Sequence, residues 1–172
     1  MWNTLSRMLQ TGLLTEPLPA ADQSVSTVEK LQTELLEILG RALCIRHVDA
    51  GSCNGCELEI QALNNPYYNL EGAGIKFVAS PRHADLLLVT GPVSVNMEEA
   101  LKRTYEAMPD PKLVVAVGDC GACGGIFGTS YASRGGVANI LPVNHTVMGC
   151  PPSPVAMISG ILCAVRSSGV MA

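Results

Sequence analysis

Five of the seven cysteines in this 172-residue chain lie in three short segments rich in glycine and proline. The segments are Gly51-Ser-Cys-Asn-Gly-Cys56, Gly118-Asp-Cys-Gly-Ala-Cys-Gly-Gly125 and Gly149-Cys-Pro-Pro152. A [4Fe–4S] cluster takes four thiolates, one on each iron, which approach it from several directions. Three segments could supply such a set, and glycine lets backbone N–H groups come close to the inorganic sulfides. The spacing therefore favours an iron–sulfur site, although it does not choose between Cys120 and Cys123 as the ligand from the second segment.

Two other kinds of cysteine chemistry explain the pattern less well. Cys53-x-x-Cys56 and Cys120-x-x-Cys123 are spaced like the two halves of a zinc ribbon, but ribbons join their pairs over a short span and here predicted strands intervene. A zinc ribbon would also leave Cys150 unused. A thioredoxin-like redox pair would leave the other cysteines idle. His145 could replace one cysteine ligand, but four cysteines are already available.

Composition limits the class of protein. The net charge is −4 and the eleven Lys and Arg residues are scattered, so we expect no nucleic-acid partner. Mean hydropathy is +0.28 without any run of about eighteen apolar residues that could cross a bilayer, which favours a subunit buried against partners. No export signal is evident, so clustered cysteines are expected in a reducing, cytoplasmic compartment. The remaining cysteines, Cys44 and Cys163, lie among apolar residues and are expected to be buried.

Short apolar runs alternate with helical patterns from residue 41 onward. Nearly apolar strands of this kind suit a parallel sheet that is buried on both faces. We therefore predict a flavodoxin-like, doubly wound α/β domain over residues 41–172, with a mostly parallel sheet. The cysteine segments would then lie on loops beyond the carboxyl ends of strands, where such sheets bind ligands. The predicted strands cover residues 43–48, 75–79, 86–90, 113–117 and 140–143.

Two helices can be predicted from their first residues. Asn96, with Glu99 three positions later, has the pattern of a capping box for a helix that ends near Met108. Ser153 and Pro154 begin a helix that is apolar almost all round, so we expect it to be buried in the core or in an interface.

Residues 1–40 are predicted to form an N-terminal extension of amphipathic helices and a linker. Apolar residues recur at spacings of three and four along residues 1–15, on one face of a helix. That face could lie on a membrane, on a partner or on the chain's own domain. Residues 17–26 are polar and contain proline, which indicates a linker, and a second helix is predicted over residues 27–39.

Five charged residues near the cysteine segments are candidates for a supporting role. Glu57 directly follows the first cysteine pair and could carry protons or contact a partner. Arg46 and His47 stand at the end of the first predicted strand, and Arg82 and His83 precede the third. Either pair could tune the potential of a cluster or contact a partner. Ordinary surface or hydrogen-bonded roles are the simpler alternative for all five.

With these motifs, the chain resembles the small subunit of energy-converting, membrane-bound [NiFe] hydrogenases, including the formate hydrogenlyase type. The same family contains the cluster-bearing 20 kDa subunit of respiratory complex I. The likeness covers roughly residues 43–165. The motifs that carry it are Cys53-Asn-Gly-Cys-Glu57, Ser80-Pro-Arg-His-Ala-Asp85, Thr90-Gly-Pro92, Gly118-x-Cys120, Gly124-Gly125 and Gly149-Cys-Pro-Pro152.

The resemblance implies which cysteines bind the cluster. It assigns one [4Fe–4S] cluster to four ligands, with Cys123 as a neighbour; the ligands are Cys53, Cys56, Cys120 and Cys150. The complex I branch carries adjacent cysteines in the first motif, so the separation of Cys53 from Cys56 favours a hydrogenase. Periplasmic uptake hydrogenases have a longer small subunit with an export signal and extra ligands, which this sequence lacks.

The function implied by the resemblance is electron transfer within an oxidoreductase complex. This chain, without a catalytic site of its own, would relay electrons between a nickel–iron site in a large subunit and the clusters of a ferredoxin-like subunit. Membrane subunits would hold the complex on the cytoplasmic face of the cell membrane, with this chain bound peripherally. A complex I-type or nickel-free relative of the hydrogenases stays open as an alternative, and a zinc-binding structural module is a third.

Overall fold

The computed structural model describes Thr33 and residues 41–167. Thr33 is helical, and the remainder of the predicted N-terminal extension lies outside the described residues, as do residues 168–172. The amphipathic helix, the linker and the domain division at residue 40 therefore stay predictions. Within the part that is described, no helix is both long enough and apolar enough to span a membrane.

Five parallel strands form one sheet, in the order β2-β1-β3-β4-β5. The strands are β1 Leu43–Asp49, β2 Ile75–Phe77, β3 Leu86–Thr90, β4 Leu113–Val117 and β5 His145–Val147. This order is the flavodoxin-like one, so the predicted fold class is confirmed. β3 and β4 are buried at every residue, as expected for apolar strands that are covered on both faces.

Four α-helices accompany the sheet within residues 41–167: α1 Gly55–Ala62, α2 Val95–Glu106, α3 Gly118–Cys123 and α4 Pro154–Ser167. Ile60 of α1 and Met157 of α4 share one core cluster with Leu88 of the sheet. Leu101 of α2 joins Leu87 in a second cluster on the opposite face. α4 begins at Pro154 as predicted, and most of its length is buried.

The last strand begins two residues after the predicted one ends. Residues 140–143 follow a 3₁₀ turn at Val137–Asn139, and Leu141 is buried in the core cluster on the α2 face. Asn144 instead fixes the start of β5, because its backbone N–H donates to the Val114 carbonyl and its side-chain oxygen accepts from the Val114 N–H. The prediction of a strand at 140–143 was wrong, because the apolar residues there pack into the core and do not pair with a neighbouring strand.

The capping box predicted for α2 does not form. Ser94 precedes the helix in an extended conformation, held by a hydrogen bond from its N–H to the Ala50 carbonyl at 2.8 Å. Glu99 pairs with Arg103, one turn further along the helix, at 2.8 Å. The start of α2 is therefore fixed by a hydrogen bond to the loop after β1. The sequence pattern of residues 96–99 does not determine it.

Gly160 marks a close approach between α4 and the sheet. A Cβ at this position would collide with the side chain of Val147 in β5. We expect Gly160→Val to lower the free energy of unfolding by about 1–3 kcal/mol, because overpacking forces backbone or rotamer shifts. Urea unfolding of the purified chain, followed by circular dichroism, measures the change.

The matched control places the same side chain one residue earlier. Ser159 is exposed on α4, so Ser159→Val should cost less than about 1 kcal/mol. Equal losses in the two variants would show that the contact between α4 and β5 does not limit stability.

Candidate metal centre

The three cysteine segments meet at the carboxyl edge of the sheet. Cys53 lies in the turn after β1 and Cys56 in the first turn of α1, while Cys120 belongs to α3, which directly follows β4. Cys150 lies between β5 and α4. The edge is the predicted one, but the prediction that all these cysteines lie on loops was wrong, because Cys56, Cys120 and Cys123 begin or complete short helices.

Asp49 shapes the turn that carries Cys53. Its Oδ1 accepts hydrogen bonds from the N–H groups of Ser52 and Gly51, at 2.7 and 2.8 Å. Burial alone would raise the pKa of Asp49, but these hydrogen bonds outweigh it and hold the pKa below its usual value. The hydroxyl of Ser52 in turn accepts the N–H of Asn54 at 3.1 Å. The turn is therefore fixed by a carboxylate that stays ionised.

A reciprocal pair of hydrogen bonds joins the second and third segments. The Asp119 N–H donates to the Gly149 carbonyl at 2.9 Å, and the Gly149 N–H donates to Asp119 Oδ1 at 2.8 Å. Cys120 and Cys150 are the next residues in their segments. The pair therefore fixes the position of one cysteine relative to the other.

Glycine keeps space open beside two of the sulfurs. A Cβ on Gly118 would lie 2.8 Å from the Cys56 Sγ, and a Cβ on Gly125 would lie 2.8 Å from the Cys120 Sγ. Both glycines also have positive φ, at 81° and 53°, which other residues rarely adopt. Side chains are excluded at these positions by contact and by conformation together.

The Cys56 and Cys120 thiols lie close enough to other thiols to be affected by their charges. We use the name cysteine cage for the four cysteines that the family resemblance implies as ligands: Cys53, Cys56, Cys120 and Cys150. Burial is the main cause that raises the pKa of Cys56 to about 11, and Glu57 and the three other cage cysteines add to it. Burial, then Cys150, Cys53, Asp119 and Cys123, also raise the pKa of Cys120. Such thiols ionise only where a positive charge is placed among them. The donor set therefore suits a cationic group that four thiolates share.

Across Thr33 and residues 41–167, no three His, Cys, Asp or Glu side chains lie close enough together to hold a single ion. Four thiolates at the usual Zn–S distance of about 2.3 Å would have sulfurs about 3.8 Å apart. A cluster of several irons and sulfides needs wider spacing. Cysteine thiols drawn from three segments fit the thiolate ligation of an iron–sulfur cluster.

Cys123 is a neighbour of Cys120, whereas the remaining cysteines and His145 lie elsewhere in the fold. The Cys123 thiol is exposed and donates to the Asp119 carbonyl of its own helix at 3.3 Å. His145 begins β5 opposite Val115, below the edge where the cage lies. Cys44 is half-buried, whereas Cys163 is exposed on α4, so the expectation that Cys163 is buried was wrong.

Glu57 and His47 border the cage. Glu57 is buried, and neither of its carboxylate oxygens has a hydrogen-bond partner. The His47 Nε2 lies 3.8 Å from Glu57 Oε1 and 3.0 Å from the Thr90 hydroxyl. Burial lowers the pKa of His47, although the Glu57 charge opposes that shift. A buried carboxylate without hydrogen bonds, next to a cage ligand candidate, is costly to fold and is a sign of function.

The other predicted candidates form two pairs, one in β1 and one before β3. Arg46 and His47 lie in the middle of β1, which extends to Asp49, so the prediction that they end the strand was wrong. Arg82 and His83 are exposed in a 3₁₀ turn that precedes β3. The structure therefore brings His47 to the cage through Glu57 and leaves the second pair away from it.

Sequence reasoning missed the residues that hold the turns in place. Asp119 stands between Gly118 and Cys120, and an acidic residue in a glycine turn was the available signal. Gly91 was also missed: a Cβ there would collide with the Ser52 backbone, so it lets the turn after β3 pack against the turn of Cys53.

Several large apolar side chains that are close in sequence to the cage cysteines are exposed. Each lies a few residues from one of these cysteines, and Ile126 is 94% exposed. We call this set the apolar rim: Leu58, Ile126, Phe127, Met148 and Val155. Exposed apolar residues that form a contiguous patch are typical of a surface that another protein covers.

Known proteins share this sequence and fold. A probable membrane-bound hydrogenase subunit, mbhJ, of Pyrococcus furiosus is 44% identical over 144 residues, which cover 84% of this chain and 86% of that protein. Formate hydrogenlyase subunit 7 of Escherichia coli is 41% identical over 150 residues, or 87% of this chain, which spans only 58% of that longer protein.

A solved structure gives the same result. A chain of the membrane-bound sulfane sulfur reductase, an archaeal respiratory membrane complex, matches with a TM-score of 0.65 at 33% identity, over 81% of this chain and 77% of that one. The model of the NADH–ubiquinone oxidoreductase 20 kDa subunit family matches residues 53–164, which include the cysteine cage and the whole apolar rim. By its sequence, its parallel sheet and the placement of its cysteines, this chain belongs to that oxidoreductase family.

Proposed function

We propose that this chain is the electron-transfer small subunit of a membrane-associated [NiFe] hydrogenase, and that the cysteine cage binds one [4Fe–4S] cluster. The observation that carries the proposal is the convergence of four thiols from three segments on one edge of the sheet. The relatives support the kind of complex, since two of them are subunits of a membrane-bound hydrogenase and a formate hydrogenlyase.

The bound cluster would supply one-electron chemistry. Cys53, Cys56, Cys120 and Cys150 would hold it, and Gly118 and Gly125 would leave room for sulfide next to the ligand sulfurs. The chain itself contributes position, burial and backbone dipoles, which set the reduction potential. It supplies no catalytic residue, so hydrogen turnover belongs to a partner.

The apolar rim supports a partner that covers the cage. Electron transfer requires a short path, and a protein seated on the rim would lie directly above the four thiols. We assign that place to a large subunit carrying the nickel–iron site, with a ferredoxin-like subunit of several clusters and membrane subunits completing the complex. The chain would then be a peripheral subunit on the cytoplasmic face of the membrane.

Glu57 has the strongest case among the charged candidates. It is buried, lacks hydrogen-bond partners and lies next to Cys56 in sequence. A partner that covers the cage could supply the missing donor. We propose that Glu57 holds or carries a proton at this interface, with His47 at 3.8 Å as its neighbour in this chain.

A second candidate function is electron transfer in a complex without nickel. The observation in its favour is that the solved neighbour at 33% identity belongs to a sulfane sulfur reductase. The separation of Cys53 from Cys56 by Asn54 and Gly55 favours the hydrogenase over a complex I-type subunit. Both candidates use the same cage, and they differ in what the partner on the rim contains.

Two serine substitutions test the ligand assignment. We expect Cys120→Ser to lose most of the iron and the reduced-state EPR signal, because it removes a thiolate from the cage. Cys123→Ser should keep both at nearly the wild-type level, since that thiol is exposed and bonded within its own helix. Iron and sulfide per chain, with EPR of the anaerobically purified complex, measure the difference. The opposite pattern would overturn the assignment of Cys120.

A charge placed on the apolar rim tests the partner. We expect Ile126→Asp to reduce co-purification of the large subunit about tenfold or more, because it buries an unpaired charge in an apolar interface. Nickel should be lost from the preparation with that subunit, while iron bound to this chain remains.

Ala107→Asp is the matched control, since it adds the same charge to an exposed position at the far end of α2. It should leave the complex intact. Loss of partner in both variants would indicate a general defect and contradict a specific role of the rim. A wild-type complex that is rich in iron but free of nickel would favour the second candidate function.

A further inference from the structure

A cavity of about 320 Å³ lies between α1, β1 and the end of β2. We call it the edge groove. Its polar lining comes from β1 and α1, and its apolar lining from the residues where β2 ends. The lining residues that matter are Arg46, His47, Gln61, Asn64, Phe77 and Val78.

The lateral side of β1 is unpaired along this groove, beyond the point where β2 ends. β2 pairs with β1 only from Leu43 to Ile45, and among the described strands none takes its place beyond that point. Alternate residues of a strand direct their backbone N–H and C=O groups to opposite neighbouring strands. Leu43 and Ile45 bond toward β2, so the backbone N–H and C=O groups of His47 and Asp49 point to the same side, where β2 no longer runs. Such an edge accepts an added extended segment, as in β-strand addition.

The groove also contains a buried hydrogen-bond donor without a partner. The Nε of Arg46 is buried and has no hydrogen-bond partner among the described residues. Arg46 is a permanent cation with donors in a fork that matches a carboxylate. The nearby Glu57 approaches His47 and not Arg46. A carboxylate that enters from outside would satisfy the buried donor.

We propose that the edge groove binds an extended, acidic segment of a partner subunit, which pairs with β1 beyond Ile45 and places a carboxylate on Arg46. Phe77 and Val78 would contact the stem of the acidic side chain, and the amides of Gln61 and Asn64 would border it. This inference rests on the proposed function, because it requires that the chain works within a complex.

Continuity with the rim favours a partner as the occupant. α1 carries Cys56 and the rim residue Leu58 in its first turn, and Gln61 lies further along the same helix. A subunit that covers the rim can therefore extend along α1 into the groove without crossing other elements.

Site-specific photo-cross-linking in the intact complex tests the proposal. A benzophenone amino acid is placed at Gln61 or Asn64, with exposed Arg103 on α2 as the control position on the other face of the sheet. We expect the groove positions to cross-link to a stretch of another subunit that contains Asp or Glu. The control position should not yield that product.

Substitution of Arg46 then tests the chemistry. Arg46→Gln should reduce the cross-link about tenfold, because a charge-assisted hydrogen bond is lost, whereas Arg103→Gln should not change it. Arg46→Lys, which keeps the charge, should retain part of the cross-link yield. If the Arg46→Gln complex fails to assemble, the yield of the Arg46→Lys complex is compared with the wild-type yield instead. Iron content and EPR are measured in the same preparations.

The outcomes separate the two proposals. Cross-links only to residues 1–40 of this chain, no cross-link, or a yield that neither Arg46 variant changes would overturn the edge-groove proposal even when the cluster is present. An acidic cross-link in a complex without a cluster would overturn the proposed function and leave the groove assignment standing.

Discussion

The parallel direction of all five strands is the constraint on which the site depends. It brings the carboxyl ends of β1, β4 and β5 to one edge, so residues far apart in sequence start their turns side by side. Direction alone does not place four sulfurs around a common centre. Asp49 fixes the first turn, and the reciprocal hydrogen bonds between Asp119 and Gly149 join the other two. The cage therefore exists because backbone groups at the sheet edge are paired across segments.

The carboxyl edge of the sheet also gathers groups that become negatively charged when they ionise, namely the cage thiols and Glu57. Buried thiols with a carboxylate beside them resist ionisation, and the pKa of Cys56 near 11 expresses that cost. In the proposed function, a cationic cluster core would offset that cost, and a covering partner would exclude the remaining water. Glu57 is buried without hydrogen bonds and the apolar rim is exposed, and both features are consistent with a surface that a partner covers. The chain is built as one part of a larger electron-transfer assembly.

Much of the fold could be predicted from apolar runs, because strands buried on both faces leave a signal that does not depend on their neighbours. β5 and the start of α2 could not be, since Asn144 and Ser94 are placed by bonds to β4 and to the loop after β1. The cysteines could be found from spacing, but spacing left Cys120 and Cys123 equivalent. The Cys123 thiol donates to a carbonyl of its own helix, which supports Cys120 as the ligand without testing it. The isolation of Glu57 is likewise a property of packing that no local pattern reveals.

The most direct measurement of the central claim is metal analysis with EPR on the anaerobically purified complex. The account predicts about four irons and four sulfides per cage, with a reduced-state EPR signal that disappears when Cys53, Cys56, Cys120 or Cys150 is replaced by serine. A colourless protein with one zinc per chain and no EPR signal on reduction would contradict it.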